Sequence, residues 1–333
     1  MTEIRNILLF GRTGQGKSSV SNVLTGTNEF KESAGSTSET KGHQVKSFQK
    51  GNITYQVIDT IGLGDSRKTE SENLYELAKV ASKLGDGVNQ VFFVTNGRFA
   101  KEEVDAFNIL CKVFFDPSVA KYSSIIRTNF PEFYKDEECK NDIKDLTSEG
   151  QAGKKVVEEI GEEAVIHIDL PPLKGRDGAV KVAKETREES REKLLKYLEN
   201  KTEIYNPNNL KKINSRIRTH LHTKEIDVKK TKITELEEKL KTTKNLEEKG
   251  QINEQINTLR TEANDLIAKE KKAFIDDMAK HIIESFQESG EQMISMFPGL
   301  GRELGTVASI GAVGISVSPL MIKLIIGKIF GFI

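Results

Sequence analysis

The chain has 333 residues, enough for about two domains and one large core. Lysine plus arginine equals aspartate plus glutamate at 50 each, so the basic footprint of a nucleic-acid binder is absent and no nucleic-acid partner is expected. Two isolated cysteines, Cys111 and Cys139, lack CxxC spacing; they point to neither a disulfide framework nor a zinc site and fit a reducing compartment.

The segment MTEIRNILLF lacks the basic start, long apolar stretch and small-residue cleavage site of a signal peptide, so a cytoplasmic protein is expected. Its apolar run, 7–10, reads as a strand. There follows Gly11-Arg12-Thr13-Gly14-Gln15-Gly16-Lys17-Ser18, a match to GxxxxGK[ST], and then a helical stretch with Val20, Val23 and Leu24 that stops near Gly26. Glycines let the backbone wrap round phosphate oxygens with successive N–H groups pointing inward. The next helix adds the positive end of its dipole. Lys17 supplies a point charge for β and γ phosphates, and Ser18 a hydroxyl for magnesium. These eight residues, with Ser19 behind them, are the candidate phosphate-binding set. A glycine-rich turn without a ligand is the bland alternative, and the strand–loop–helix order argues against it.

A polar loop comes next. Thr40 is the candidate hydroxyl for magnesium there, with Thr37 as fallback; a solvated loop threonine is the competing reading for each. The apolar run 55–58 predicts a second strand, ending in Asp59-Thr60-Ile61-Gly62. An aspartate at a strand end suits a magnesium-holding carboxylate, and the Gly62 amide suits a γ-phosphate sensor. Further apolar runs at 91–94, 124–126 and 165–168 predict strands, and helices are expected at 71–84, 101–115 and 179–199. The last places Ala179, Val182, Ala183, Leu194, Leu195 and Leu198 near one face. Short apolar strands alternating with helices read as a three-layer α/β domain with a mostly parallel sheet buried on both faces.

Residues 87–109, GVNQVFFVTNGRFAKEEVDAFNI, carry a more specific pattern: a strand, then Gly97-Arg98-Phe99-Ala100-Lys101-Glu102-Glu103, then a helix. This resembles the conserved box of the immunity-associated nucleotide-binding (GIMAP/IAN, AIG-type) GTPases. The phosphate-loop region 7–26, Ser38-Glu39-Thr40-Lys41 and Asp59-Thr60-Ile61-Gly62-Leu63 resemble the same family, which usually has proline where Ile61 stands. The resemblance covers about residues 4–200. It implies a Ras-like P-loop domain with septin-like and Toc-like relatives. It also implies binding of GTP or GDP with Mg2+, and nucleotide-dependent homodimerisation through the nucleotide face. Several members carry C-terminal helices and a membrane anchor.

One departure concerns the base. The motif Asn/Thr-Lys-x-Asp is expected after the strand at 122–126, but the chain reads Ile126-Arg127-Thr128-Asn129-Phe130-Pro131-Glu132, with no aspartate in register. Guanine specificity is therefore implied by the relatives alone. Glu132 or Asp169 could substitute, and each also reads as a surface or turn carboxylate. Leu63 follows Gly62 where Ras-type enzymes carry a water-orienting glutamine, so intrinsic hydrolysis should be slow. Arg98 is the candidate arginine finger across a dimer, and Arg12 a weaker rival. An ATP-binding or base-promiscuous protein, or a scaffold with negligible turnover, are the alternatives. The five histidines lack metal-ligand spacing with another ligand type; His220 and His222, two apart, point different ways on a helix.

The domain reading is a G domain over 1–200, a charged helical or coiled-coil region over 201–289, and a hydrophobic tail over 290–333. In the second region Ile226, Ile233, Leu236 and Leu240, then Ile252, Ile256, Leu259 and Leu266, form a heptad-like stripe. Gly250 is either the turn of a helical hairpin or a flaw in one long coiled coil. The tail holds 19 uncharged residues, 304–322, close to the length that spans a bilayer, although Pro319 and small residues interrupt it. Anchoring to the cytosolic face of an intracellular membrane is expected, against a re-entrant hairpin or packing on the protein itself.

Overall fold

The computed structural model describes residues 3–30, 44–64, 69–81, 84, 87–206, 213–289 and 323. Strands β1 (Glu3–Phe10), β2 (Gln44–Lys50), β3 (Ile53–Asp59), β4 (Gln90–Asn96), β5 (Ser123–Thr128) and β6 (Val165–His167) form one sheet in the order β2-β3-β1-β4-β5-β6. Neighbouring strands run parallel except β2 and β3. The helices are α1 (Lys17–Thr25), α2 (Glu70–Ala81), α3 (Lys101–Ile109), α4 (Asp136–Thr147), α5 (Lys154–Ile160), α6 (Asp177–Glu199), α7 (Ile213–Thr242) and α8 (Leu246–Ser289).

The five strands expected from apolar runs are the five whose side chains are largely buried. β5 is buried at every position and β4 at all but its last. β2 escaped the pattern because it is the sheet's antiparallel edge and mostly exposed. Its inner residue Phe48 pairs with Tyr55 and stacks on it at 5.0 Å. The two-residue turn Gly51-Asn52 between Lys50 and Ile53 is the hairpin signal that sequence reading could have used.

Alternation along β4 sends Phe92 to one side and Phe93 to the other. On the first side Val20, Val23 and Leu24 of α1 and Leu194, Leu195 and Leu198 of α6 pack with Ile7, Leu9, Val57, Phe92 and Ile126. On the second, Phe93 meets Phe107 of α3 edge-on at 5.6 Å, and Phe10 meets Phe114 at 5.8 Å. Val182, expected on the inner face of α6, is 60% exposed, while Ala183 one position on is buried. The helix expected over 101–115 leaves α geometry after Ile109. Leu110–Phe114 form a π turn, and the Val113 and Phe114 carbonyls accept hydrogen bonds from the Arg216 guanidinium.

Contact density divides the chain between Ile217 and Arg218. Residues 201–206 and 213–217 lie with the first unit: Tyr205 bridges to Val88, and Ile213 and Ile217 are buried. In the second unit α7 and α8 form a helical hairpin. Leu236, Ile252 and Ile256 make its core, with Ile233, Leu240 and Leu259 against them. Ion pairs Lys229–Glu262, Arg260–Glu237 and Lys239–Glu248 flank it. The turn lies at 243–245, and Asn245 Oδ1 caps α8 by accepting the Glu247 amide at 2.9 Å. Gly250 sits inside α8, one turn beyond. Among the described residues no helix is long and apolar enough to cross a membrane. The expected anchor at 304–322 lies outside the described residues.

One buried ion network fixes the far half of the sheet. Arg127 on β5 donates through Nε and Nη2 to the Asp142 carboxylate of α4, at 3.0 and 2.9 Å, and through Nη1 to the Gly97 carbonyl at 2.6 Å. His167 Nε2 on β6 donates to the same carboxylate at 2.8 Å. Burial by itself would raise the Asp142 carboxyl, but the His167 and Arg127 bonds and the Arg127 charge outweigh it and hold the carboxyl down at about 2. The network thus joins β5, β6 and α4 to the turn after β4. Replacing Asp142 by alanine is expected to cost about 3–5 kcal/mol in denaturant unfolding, because buried Arg127 loses its partner. A lowered carboxyl stabilises above its ordinary value of 3.8, so the wild-type contribution should fall away between pH 4 and pH 2. An Asp142→Ala protein as stable as wild type would sink this assignment.

Candidate functional site

The carboxyl ends of β1, β3, β4 and β5 lie side by side, and the loops leaving them meet. β1 ends at Phe10, and a side-chain carbon on Gly11 would lie 2.5 Å from the Val94 carbonyl of β4. Only glycine allows that approach. Gly16, at φ 95°, turns the chain into α1, whose first turn has no acidic residue and no side-chain cap. The positive end of α1 therefore faces the loop with no acidic residue in its own first turn. Lys17 is buried and folds back, its Nζ donating to the Arg12 carbonyl at 2.7 Å.

Ser18 Oγ donates to Asp59 Oδ2 at 2.8 Å, so the end of β3 meets the start of α1. Asp59 is fully buried. Burial pushes its carboxyl up to about 6, against the Lys17 charge and the Ser18 bond, which pull it down. Its Oδ1 has no hydrogen-bond partner, and neither have Thr13 Oγ1 and Gln15 Oε1 in the loop above it. A buried carboxylate oxygen without a partner is costly, and a hard cation with oxygen ligands resolves that cost. Ser18 and Asp59 thus fit a magnesium ion.

Two further loops wall the first. A side-chain carbon on Gly62 would lie 2.3 Å from the Thr13 amide nitrogen. Leu63 donates its amide to the Gly11 carbonyl at 3.1 Å and accepts the Thr13 amide at 3.0 Å. After β5, Thr128 Oγ1 donates to the Gln15 carbonyl at 2.9 Å. The next residue, Asn129, at φ 55°, is the one non-glycine with positive φ among the described residues.

The predicted residues Gly11, Arg12, Thr13, Gly14, Gln15, Gly16, Lys17, Ser18, Asp59 and Gly62 therefore converge, with Ser19 in the first turn of α1. Arg98 is exposed on the turn between β4 and α3. Asp169 has its contacts on the α6 side: its amide donates to Ser190 Oγ at 3.1 Å, and its Oδ1 accepts from the Leu170 amide at 3.0 Å. Burial raises its carboxyl, against that bond and the nearby Arg187 charge. Glu132 pairs with Lys135 on the surface. Thr37 and Thr40 lie outside the described residues. Sequence reading missed Thr128 and Glu103, which both touch the phosphate loop. Thr128 stands within the segment where the base motif is expected, and its contact with Gln15 depends on a residue 113 positions away.

Residues 5–169 match the model of the AIG1 family. Immune-associated nucleotide-binding protein 10 of Arabidopsis thaliana is 33% identical over 147 residues, 42% of this chain and 30% of that protein. Immune-associated nucleotide-binding protein 13 of the same plant is 28% identical over 167 residues, 49% of this chain and 48% of that protein. The chain thus spans less than half the length of these relatives. Toc33 from Arabidopsis thaliana in complex with GDP and Mg2+ aligns at 18% identity and a TM-score of 0.38, over 57% of this chain and 86% of that one, a likeness too loose to carry an argument.

The raised Asp59 carboxyl gives a signed expectation for the metal-free protein. The folded state holds the proton up to about 6, whereas the unfolded chain releases it near 3.8. Stability should therefore fall as pH rises from 4 to 6. At about 1.4 kcal/mol per pH unit, the rise from 3.8 to about 6 amounts to about 3 kcal/mol. In chelator at pH 7.5, Asp59→Asn should be more stable than wild type by about that amount, with the loss between pH 4 and 6 abolished. Superimposable wild-type and variant curves would contradict this account of Asp59.

Proposed function

Taking residues 5–169 as a domain of the AIG1 family, we propose that this protein is a GTP-binding switch, a slow GTPase that pairs with a second copy through its nucleotide face. One observation carries the reading. A glycine loop, a helix whose own first turn carries no acid, Lys17 and the Ser18–Asp59 pair converge on one spot, with three buried oxygens still lacking partners.

The loop amides and Lys17 bind and orient the β and γ phosphates. Ser18, Asp59 and Thr40 hold magnesium, which neutralises phosphate charge when bound. Gly62 carries the amide that senses the γ phosphate, and its lack of a side chain is what allows it to lie on Thr13. Leu63 offers no side chain able to orient water, which supports slow turnover by the isolated chain. Arg98 is exposed and free to reach a second copy's phosphates, whereas Arg12 is already engaged with Glu103 at 3.0 Å. The base lies against the loops after β5 and β6, where Asp169 supplies the carboxylate. Phe130 or Pro131, one of which stands where the usual aspartate would be, supports a second reading in which the base is read loosely.

The purified protein, once denatured, should release guanine nucleotide, and titration should show GTP and GDP bound far more tightly than ATP. Equal affinities would select the loose reading, and no binding would leave a scaffold. For Arg98→Ala, turnover at high protein concentration should fall about a thousandfold with nucleotide affinity unchanged. Turnover that is independent of concentration and of Arg98 would remove the dimer finger.

The uncharged run 304–322 anchors the chain to an intracellular membrane in this proposal. A chain ended after residue 289 should leave the membrane fraction, and unchanged partitioning would overturn the anchor.

A further inference from the structure

Glu103 enters the reading above only as the partner of Arg12, yet the residue is 3% exposed and its carboxylate accepts from three donors. Oε1 accepts from Arg12 Nη1 at 3.0 Å and from Gln15 Nε2 at 3.2 Å, and Oε2 accepts the Ala100 amide at 3.0 Å. We infer that Glu103 is the positioning residue of the phosphate loop, holding it from the side through Arg12 and Gln15. This deepens the nucleotide-switch reading and rests on it for its consequence, though not for its geometry.

The two donors bracket the tip of the loop. Arg12 follows Gly11, Gln15 precedes Gly16, and only Thr13 and Gly14 lie between. Each bracket residue is held twice. The Arg12 side chain is held by Glu103 and its carbonyl by Lys17 Nζ at 2.7 Å. The Gln15 side chain is held by Glu103 and its carbonyl by the Thr128 hydroxyl at 2.9 Å. With both ends fixed, the intervening amides keep one arrangement before any anion arrives. A site that is ordered in advance avoids the ordering cost at binding.

A simple helix cap would explain less. Capping α3 needs only the bond from the Ala100 amide to Oε2, and that could be made at the surface. Oε1 is spent wholly on the loop, and the carboxylate is buried to reach it. The charge matters too. Glu103 neutralises Arg12, so Arg12 is held as a strut and does not compete with Lys17 for the phosphates. A glutamine at 103 has one acceptor oxygen for three donors, so at least one donor is released.

The test uses the full chain, free of nucleotide, and follows hydrogen exchange of the amides of residues 12–18. Glu103→Gln should speed exchange there by about tenfold or more. Arg12→Ala combined with Gln15→Ala, which removes the donors from the exposed side, should do the same, and adding Glu103→Gln to it should change little more. With GDP as probe, dissociation should accelerate by a similar factor while association stays near wild type. Faster exchange confined to residues 100–104, with loop exchange and GDP release unchanged, would reduce Glu103 to a cap and overturn the inference. Should Glu103→Gln fail to fold, the Arg12 and Gln15 pair decides alone. Should wild type bind no GDP, the nucleotide reading falls, while loop exchange still decides the role of Glu103.

Discussion

At two points the loops of this domain approach so closely that a single methyl group would not fit. Gly11 lies against the Val94 carbonyl, and Gly62 lies against the Thr13 backbone. Both contacts depend on β1 being placed between β3 and β4, which only the sheet order provides. Once the strands are stacked that way, the phosphate loop has a floor in β4, one wall in the Leu63 backbone, another in Thr128, and a brace in Glu103. The first turn of α1 and the amine of Lys17 then lie at the same loop. The site is a consequence of backbone packing first and of side-chain chemistry second.

A half-buried carboxylate, Asp142, and a fully buried one, Asp59, show how differently one residue type can be treated. Asp142 is answered within the protein by Arg127 and His167, and its carboxyl sits at about 2. Asp59 is buried with less to answer it, the nearby Lys17 charge, the Ser18 bond and the Thr60 backbone, and its carboxyl rises to about 6. The first is a structural clamp whose partners come from two strands and cross-link the sheet to α4. The second is left short of partners at the mouth of a glycine loop. Buried groups left short of partners concentrate where a ligand completes them.

The extension follows other rules. Its apolar stripe is too narrow to build a globular core. Two antiparallel helices bury it between themselves and line the seam with oppositely charged pairs. Ion pairs this exposed add little stability, so the apolar seam sets the register. The break falls at Asn245, a residue that caps, and not at Gly250, because a single glycine weakens a helix without ending it when the apolar spacing continues through Ile252 and Ile256.

Local chemistry was enough to read much of this protein from its sequence. Five strands announced themselves as apolar runs because parallel strands are buried on both faces. GxxxxGK[ST] announced the phosphate loop because no other residue types let a backbone wrap an anion so tightly. Asp59 followed from its place at a strand end. The stripe of the extension was legible because helical spacing is local. What escaped depends on neighbours distant in the chain. β2 has no fully buried residue, only half-buried Phe48 against Tyr55, because an edge strand has only one partner. Val182 is exposed and Ala183 is buried because the sheet beneath α6 chooses which face packs. Glu103 reads in sequence as one more acid at a helix start. It becomes a brace only because β1 and β4 are adjacent, which brings Arg12 and Gln15, about ninety residues away, within hydrogen-bond reach. Short-range pattern specifies which residues can do the chemistry, and long-range packing decides which of them meet.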